Sequence, residues 1–292
     1  MATVELTRPV ELIPGRQQTL WGRPAVINFV LGGLGAGLYV TAVLASAFQS
    51  SAMVSTASWL APALVLAGFA SVAIEAGRPW RGIRVLTRIR TSWMSRELWI
   101  GGAFVALAGA EFVFPLLWNR LSAAVLAVAL ALAQGFILRR SRGVAAWDVP
   151  VMPLTFLLSA LGSGAGLHVV LEAVGGSAPG SALLTTLLIL ISASLFGWVT
   201  FVSWSRDETF IRATRALRDG PAVIAVVGAG HLAPFLLFAV ALAVPPAAMA
   251  ASALGGLLLM GGQAHAKALL VLRAGELRPI TLANLRLRRR SP

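Results

Sequence analysis

Long apolar stretches alternate with short clusters of charged and turn-forming residues along the whole chain. Eight windows, at approximately 25–48, 57–76, 97–118, 121–138, 152–174, 181–203, 221–243 and 246–272, are each predominantly apolar. About 20 such residues at 1.5 Å rise each cover the ~30 Å hydrocarbon thickness of a bilayer. The pattern therefore predicts eight transmembrane helices and an all-α integral membrane protein. The fourth window is the shortest, and its link to the third, Trp118-Asn119-Arg120, is tight enough for an antiparallel hairpin. Residues 1–23 carry Pro9, Pro14, Glu5, Glu11 and three arginines, with no apolar core and no small-residue cleavage site. This reads as a cytosolic or membrane-surface arm that stays attached, not as a signal peptide.

The chain repeats itself. PAVINFVLGGLGAGLYV (Pro24 to Val40) aligns without a gap on PLTFLLSALGSGAGLHV (Pro153 to Val169), matching Pro24, Gly33, Gly35, Ala36, Gly37, Leu38 and Val40. The loops after the second helix of each half also agree, Arg78 with Arg206, Ile83 with Ile211, Arg84 with Arg212 and Arg90 with Arg218. Each half has four helices and starts on the same side, so the prediction is two parallel four-helix-bundle repeats related by an axis along the membrane normal. The division is a cytoplasmic arm over 1–23, a first bundle over 24–142, a second over 143–275 and a basic tail over 276–292. The Gly-x-Gly-Ala-Gly stripe on the first and fifth helices lets backbones approach closely. Structural packing is the favoured reading there, with a pocket floor as the alternative.

Composition agrees with a bilayer as solvent: 58% of the 292 residues are hydrophobic and 12% charged, about half the charged fraction of soluble domains. The formal net charge of +13 sits in the gaps between windows, which argues against a nucleic-acid face and for topology signals. All basic residues except Arg120 and Lys267 fall on the side of the N-terminus. Both termini are predicted cytoplasmic, in a cytoplasmic (inner) membrane. A basic face also suits an acidic partner. The chain has no Cys, so thiolate-ligated zinc and cysteine-held iron–sulfur clusters are excluded. His168, His231 and His265 fall in the outer third, the middle and the inner third, which leaves no pair at one depth for a bis-histidine haem. With no metal site, no haem and no nucleotide loop expected, electrons would have to arrive from another chain.

Ionisable groups inside a bilayer are expensive and tend to face a cavity, pathway or partner. One set gathers toward the cytoplasmic side: Asn28, Glu75 with Arg78, Trp93, Glu97, Gln134, Gln263, His265 and Lys267. A second lies toward the outer side: Glu111, and His168 with Glu172 on one helix face at i, i+4. His231 falls between them. Structural roles compete at several positions. Glu97 suits an acidic first-turn residue behind a Ser95 N-cap; Lys267 suits a snorkelling side chain; Glu75 suits pairing with an arginine of its own loop. Glu111 has no basic residue nearby in its window, which favours function. Trp21, Trp80, Trp93, Trp99 and Trp147 read mostly as an interfacial belt.

The loop from Glu75 through Ala-Gly-Arg-Pro-Trp-Arg-Gly-Ile-Arg-Val-Leu, followed by Arg90-Thr-Ser-Trp-Met-Ser-Arg-Glu97, resembles the signature between helices 2 and 3 of NrfD-like membrane subunits, which include the polysulfide reductase and DMSO reductase anchor subunits. The glycine-rich first helix and the two-bundle layout extend the resemblance over about residues 20–275. It implies a quinone-reactive membrane anchor of a molybdopterin oxidoreductase, not catalytic alone. Its partners would be a four-cluster ferredoxin-like iron–sulfur subunit and a molybdopterin catalytic subunit, with ubiquinone or menaquinone as substrate. Many relatives carry His before the turn where this chain carries Glu75; a carboxylate also exchanges a proton with a quinol oxygen. Asn28 matches the polar residue of the first helix and Arg78 the turn arginine.

The expected quinone site lies between helices 1, 2, 3 and 8 and uses Asn28, Glu75, Arg78 and His265, with Trp93 as a wall. Glu111, His168 and Glu172, leading through His231, form an expected proton path or the remnant of one. With the catalytic subunit on the cytoplasmic side, as in cytoplasm-facing sulfite-oxidising and phenylacetyl-CoA-oxidising complexes, electrons would flow toward quinone. Two other classes fit the same pattern: a secondary transporter, which would show broken helices around a polar mid-depth site, and a purely structural anchor.

Overall fold

The computed structural model describes residues 11–47, 52–75 and 85–281. Within them, eight long helices form: α1 (Arg23–Ala45), α2 (Ala52–Glu75), α3 (Trp93–Val113), α4 (Leu117–Arg139), α5 (Met152–Val174), α6 (Ser181–Val202), α7 (Gly220–Ala243) and α8 (Ala248–Leu272). Pro24 and Pro153 stand in the first turns of α1 and α5, where the missing N–H has no helical partner to lose. Ile224–Leu232 of α7 is π-helical. Two short helices, Glu208–Ala213 and Arg215–Arg218, link α6 to α7.

Seven of the eight are long and apolar enough to cross a bilayer, and the chain is a multi-pass all-α membrane protein; α3, which carries Arg96, Glu97 and Glu111, is not among the seven. Apolar side chains face outward along these helices, among them Ile189, Phe196 and Leu236, as in lipid rather than water. The predicted windows locate the helices and miss some ends. The turn between α3 and α4 lies at Phe114–Leu116, not at Trp118–Arg120. Pro115 cannot continue α3, and the residue before a proline is pushed out of the helical region; Phe114 sits at φ −127°, ψ 89°. Asn119 Nδ2 donates to the Phe114 carbonyl at 3.2 Å across this turn. The fourth helix consequently starts at Leu117 and, at 23 residues, is not short.

Helix α1 packs against α2, α4, α5 and α8, and α5 against α1, α4, α6 and α8. Phe29 meets Phe156 edge-on at 5.4 Å between centroids, and Gly37 meets Gly164, so α1 and α5 run parallel at the centre. A Cβ on Gly37 would overlap the Ala160 carbonyl, and one on Gly164 would overlap the α1 backbone. Helices α3 and α4 form an antiparallel hairpin beside them, and α7 and α8 pack together on the other flank.

At the basic end the two arms of the chain meet. Strand β1 (Glu11–Ile13) pairs antiparallel with β2 (Ile280–Thr281), extended by a bridge between Gln17 and Glu276. Arg212 binds Glu276 at 2.6 Å and lies 3.9 Å from Glu11, and Arg278 binds Asp148 at 3.3 Å. Trp147, expected in an interfacial belt, is instead 1% exposed. It donates to the Leu270 carbonyl at 2.9 Å and packs on Trp21, because the segment before α5 folds inward beneath α8. Trp80 lies outside the described residues.

Candidate functional site

Three helices of the first half place polar side chains at one buried point. Glu97 of α3 accepts at Oε1 from Asn28 Nδ2 of α1 at 3.0 Å and from Gln134 Nε2 of α4 at 3.1 Å; the Gln134 amide also reaches the Asn28 carbonyl at 3.3 Å. All three are at most 5% exposed. Asn28 Oδ1 and Gln134 Oε1 have no partner, so the cluster holds two unused acceptors. Helix α3 begins at Trp93 with Ser92 as N-cap, its hydroxyl accepting from Ser95 N. Glu97 is thus past the first turn and neutralises no helix end; it faces inward.

Glycines seat this cluster. A Cβ on Gly32 would collide with the Gln134 amide, one on Gly33 would lie 2.7 Å from Lys267 Nζ, and one on Gly68 would lie 3.1 Å from Asn28 Oδ1. The glycine stripe of α1 therefore does both jobs considered for it. Gly35 and Gly37 admit neighbouring backbone, whereas Gly33 is the floor on which a charged side chain rests.

That side chain does not snorkel. Lys267 of α8 is 5% exposed, donates to the Phe29 carbonyl of α1 at 2.8 Å and lies 5.5 Å from the Phe156 ring. One turn earlier on α8, Gln263 joins a second cluster. His231 Nδ1 faces the Val226 carbonyl at 2.7 Å and must donate to it, so a neutral ring offers Nε2 as acceptor to Ser194 Oγ at 3.1 Å and Gln263 Nε2 at 3.1 Å. His265 points the other way and is exposed on α8; the structure does not bring it to Asn28. Gln134 and Lys267 were visible as polar residues in apolar windows, yet their partners lie on other helices, 37 and 106 residues away for Gln134 and 238 for Lys267.

Toward the basic end a cavity of about 500 Å³ is lined by Trp21, Trp93, Arg90, Arg96, Arg140 and Arg142, among others. Trp93 stacks on Phe136 at 4.3 Å and carries the Arg96 guanidinium 4.5 Å above its ring, so it is a wall of this cavity. Trp93 and Glu97 are i, i+4 on α3, and Gln134 and Ile137, the latter a lining residue, are i, i+3 on α4. Such pairs share a helix face, which puts the Asn28–Glu97–Gln134 cluster one turn beneath the cavity. The Glu75 side chain and Arg78 lie outside the described residues.

The outer set divides into separate pairs. Glu111, 1% exposed at its side chain, binds Arg120 at 2.8 Å, with Oε2 left unpartnered. His168 Nε2 lies 3.4 Å from Glu172 Oε1. Among the described residues no hydrogen bond or ion pair links these pairs to each other or to His231, and no three potential ligands gather in a metal-binding group.

Residues 12–123, which contain Asn28, Trp93, Glu97 and Glu111, match the family model described as polysulphide reductase, NrfD. The resemblance read from the α2–α3 loop thus holds over residues 12–123 and is consistent with an NrfD-like membrane subunit. No curated protein matches the chain.

Proposed function

We infer that the chain is the membrane anchor and quinone-reactive subunit of a molybdopterin oxidoreductase, passing electrons between an iron–sulfur partner subunit and the membrane quinone pool. The observation that carries this reading is the buried Glu97 held by Asn28 and Gln134 beneath the Trp93 cavity, all but Gln134 within the matched segment. Oxidation of a quinol releases two electrons and two protons. Its hydroxyls need acceptors, and Asn28 Oδ1 and Gln134 Oε1 are two buried acceptors without donors. A carboxylate beside them takes a proton as it leaves the ring oxygen. Ubiquinone or menaquinone is the substrate in this reading. The electrons pass to or from a docked four-cluster ferredoxin-like subunit, since this chain offers no cysteine to hold a cluster. Of the residues expected from the sequence, Asn28 and Trp93 enter this site; Glu75 and Arg78 are retained as proposed quinone contacts on the resemblance alone, and His265 serves only a ligand approaching along the outer face of α8.

The same reading makes all eight long helices transmembrane, in two parallel four-helix repeats spanning 24–142 and 143–275 between an arm over 1–23 and a tail over 276–292. Support comes from the parallel contact of α1 with α5 and from the matched neighbours of each, α2 and α4 for one, α6 and α8 for the other. Gln134 and Gln263 occupy corresponding places on α4 and α8, each bonded to an ionisable residue of the preceding helix. The basic end faces the cytoplasm of an inner membrane and receives the partner. Glu111, His168, Glu172 and His231 are proposed as proton-handling groups, working as separate pairs. A transporter would call for an unwound polar site at mid-depth; His231 lies instead in a continuous π-helical stretch and bonds to its own helix.

Affinity purification from native membranes in mild detergent, with identification of partners and assay of molybdenum, iron and quinone, tests the reading. A ferredoxin-like and a molybdopterin subunit are expected. A lone chain without metal or quinone, in a detergent that preserves a control complex, overturns it, as does full quinone turnover in the Asn28→Ala, Glu97→Ala double variant.

A further inference from the structure

A second cavity lies where the two halves of the protein meet. Its volume is about 280 Å³, and its lining is apolar, with Val30 and Leu34 of α1 opposite Leu257, Met260 and Gly261 of α8; Lys267 and Gln263 supply polar atoms at one end. Leu257 is 54% exposed and Gly261 is exposed, so the mouth opens on the lipid-facing side of α8. Lys267 closes the inner end.

The lysine is poorly accounted for by its protein surroundings. An ammonium has three N–H donors and no acceptor. One N–H goes to the Phe29 carbonyl at 2.8 Å, and the Phe156 ring offers only its face. Among the described residues no carboxylate pairs with Lys267. Glu97, the acid of the neighbouring buried cluster, is bound to Asn28 and Gln134. Gly33 keeps the space over α1 clear for the ammonium, although alanine there would favour the helix. A lysine so deep in a bilayer, lining an apolar cavity with an N–H to spare, has the chemistry of a head-group site.

We propose that the cavity between α1, α5 and α8 is a binding site for a bilayer-borne apolar molecule whose oxygen head group accepts hydrogen bonds from Lys267 Nζ, while its tail leaves past Leu257 and Gly261. A fatty-acid carboxylate and a quinone carbonyl share this chemistry. The site shares no lining residue with the Trp93 cavity and does not depend on the redox reading. The lysine fixes the head by hydrogen bonding, and the α8 glycine leaves room for the tail.

Binding of oleate and of decylubiquinone to the purified full chain in detergent, followed by native mass spectrometry, tests this. Two variants act on the site differently. Lys267→Met removes the donor at similar length. Gly261→Leu fills the mouth, and a Cβ at Gly261 meets no atom within 4 Å, so the fold is expected to accept it. The expected result is one bound probe that weakens at least tenfold in both variants and survives in Lys267→Arg. Loss of oleate alone names a carboxylate ligand; loss of one decylubiquinone names a quinone. Should a Trp93→Leu variant abolish a separate decylubiquinone while this one persists, the two sites are independent, and failure of either reading is seen without the other. No binding of either probe, or equal binding in wild type and in Gly261→Leu, overturns the proposal.

Discussion

Glu111 and Arg120 meet across the α3–α4 turn at 2.8 Å, the carboxylate 1% exposed and the guanidinium 22%. Helix α3 delivers the acid near its last turn, Pro115 reverses the chain, and the first turn of α4 returns the base. Removing one partner of a buried pair leaves an uncompensated charge, which costs about 3 kcal/mol or more, whereas replacing both with apolar groups is often nearly neutral. Arg120→Leu is therefore expected to lower thermal stability in detergent well below that of the Glu111→Leu, Arg120→Leu double variant. Equal melting of the two would show that the pair is not coupled.

Glu97 separates structural from chemical roles. Glutamine at this position keeps an Oε1 acceptor for Asn28 and Gln134, and alanine removes it. Glu97→Ala leaves two buried donors unpaired at about 1–3 kcal/mol each and is expected to melt lower. Glu97→Gln is expected to melt near wild type yet lose roughly 100-fold or more in quinone turnover, the scale of a lost general acid or base. Turnover unchanged in a well-folded Glu97→Gln protein would remove Glu97 from the proposed chemistry.

Much of this fold is legible in the apolar windows, because a helix in lipid must satisfy its backbone internally and therefore shows its length in sequence. The ends are less legible. Pro115 stood in the sequence as a stop, but Phe114, Leu116 and Leu117 around it are apolar, and window hydropathy runs straight through. The candidate site was readable as a set of rare polar residues and unreadable as a geometry. Glu97 next to Ser95 and Arg96 looks like a helix start until Ser92 is seen to cap; Lys267 near a helix end looks solvated until Phe29 is found against it. Glu111 looked isolated because its partner is nine residues on, beyond the turn. In each case the deciding contact is with another helix, which periodicity cannot report.

The terminal clasp is expected to matter little for stability. Arg212 and Glu11 are 42% and 41% exposed at their side chains, and exposed pairs contribute about 0–1 kcal/mol. Arg212→Ala should leave the melting temperature within a degree or two while speeding proteolysis of the arm around Glu11–Ile13, whose short pairing with Ile280–Thr281 has little else to hold it. Limited proteolysis followed by mass spectrometry reads this. A large drop in melting temperature with no change in cleavage would assign Arg212 to the core of the fold instead.

The central crossing of α1 and α5 should be intolerant of a single methyl group. A Cβ at Gly37 overlaps the Ala160 carbonyl and one at Gly164 overlaps the backbone of Gly37 and Leu38; backbone cannot move aside as a side-chain tip does, so the helices must separate along their whole contact. That contact joins the two halves and aligns Phe29, whose carbonyl receives Lys267, so separation also removes the seat of the lysine. Gly102 and Gly109 of α3 have no atom within 4 Å of a built Cβ, and alanine there should gain about 0.5–1 kcal/mol from helix propensity. Size-exclusion profiles in detergent are expected to show folded protein at or above the wild-type yield for Gly102→Ala and Gly109→Ala, and aggregation for Gly37→Ala and Gly164→Ala. Four indistinguishable profiles would mean that the halves are held together elsewhere than at this crossing.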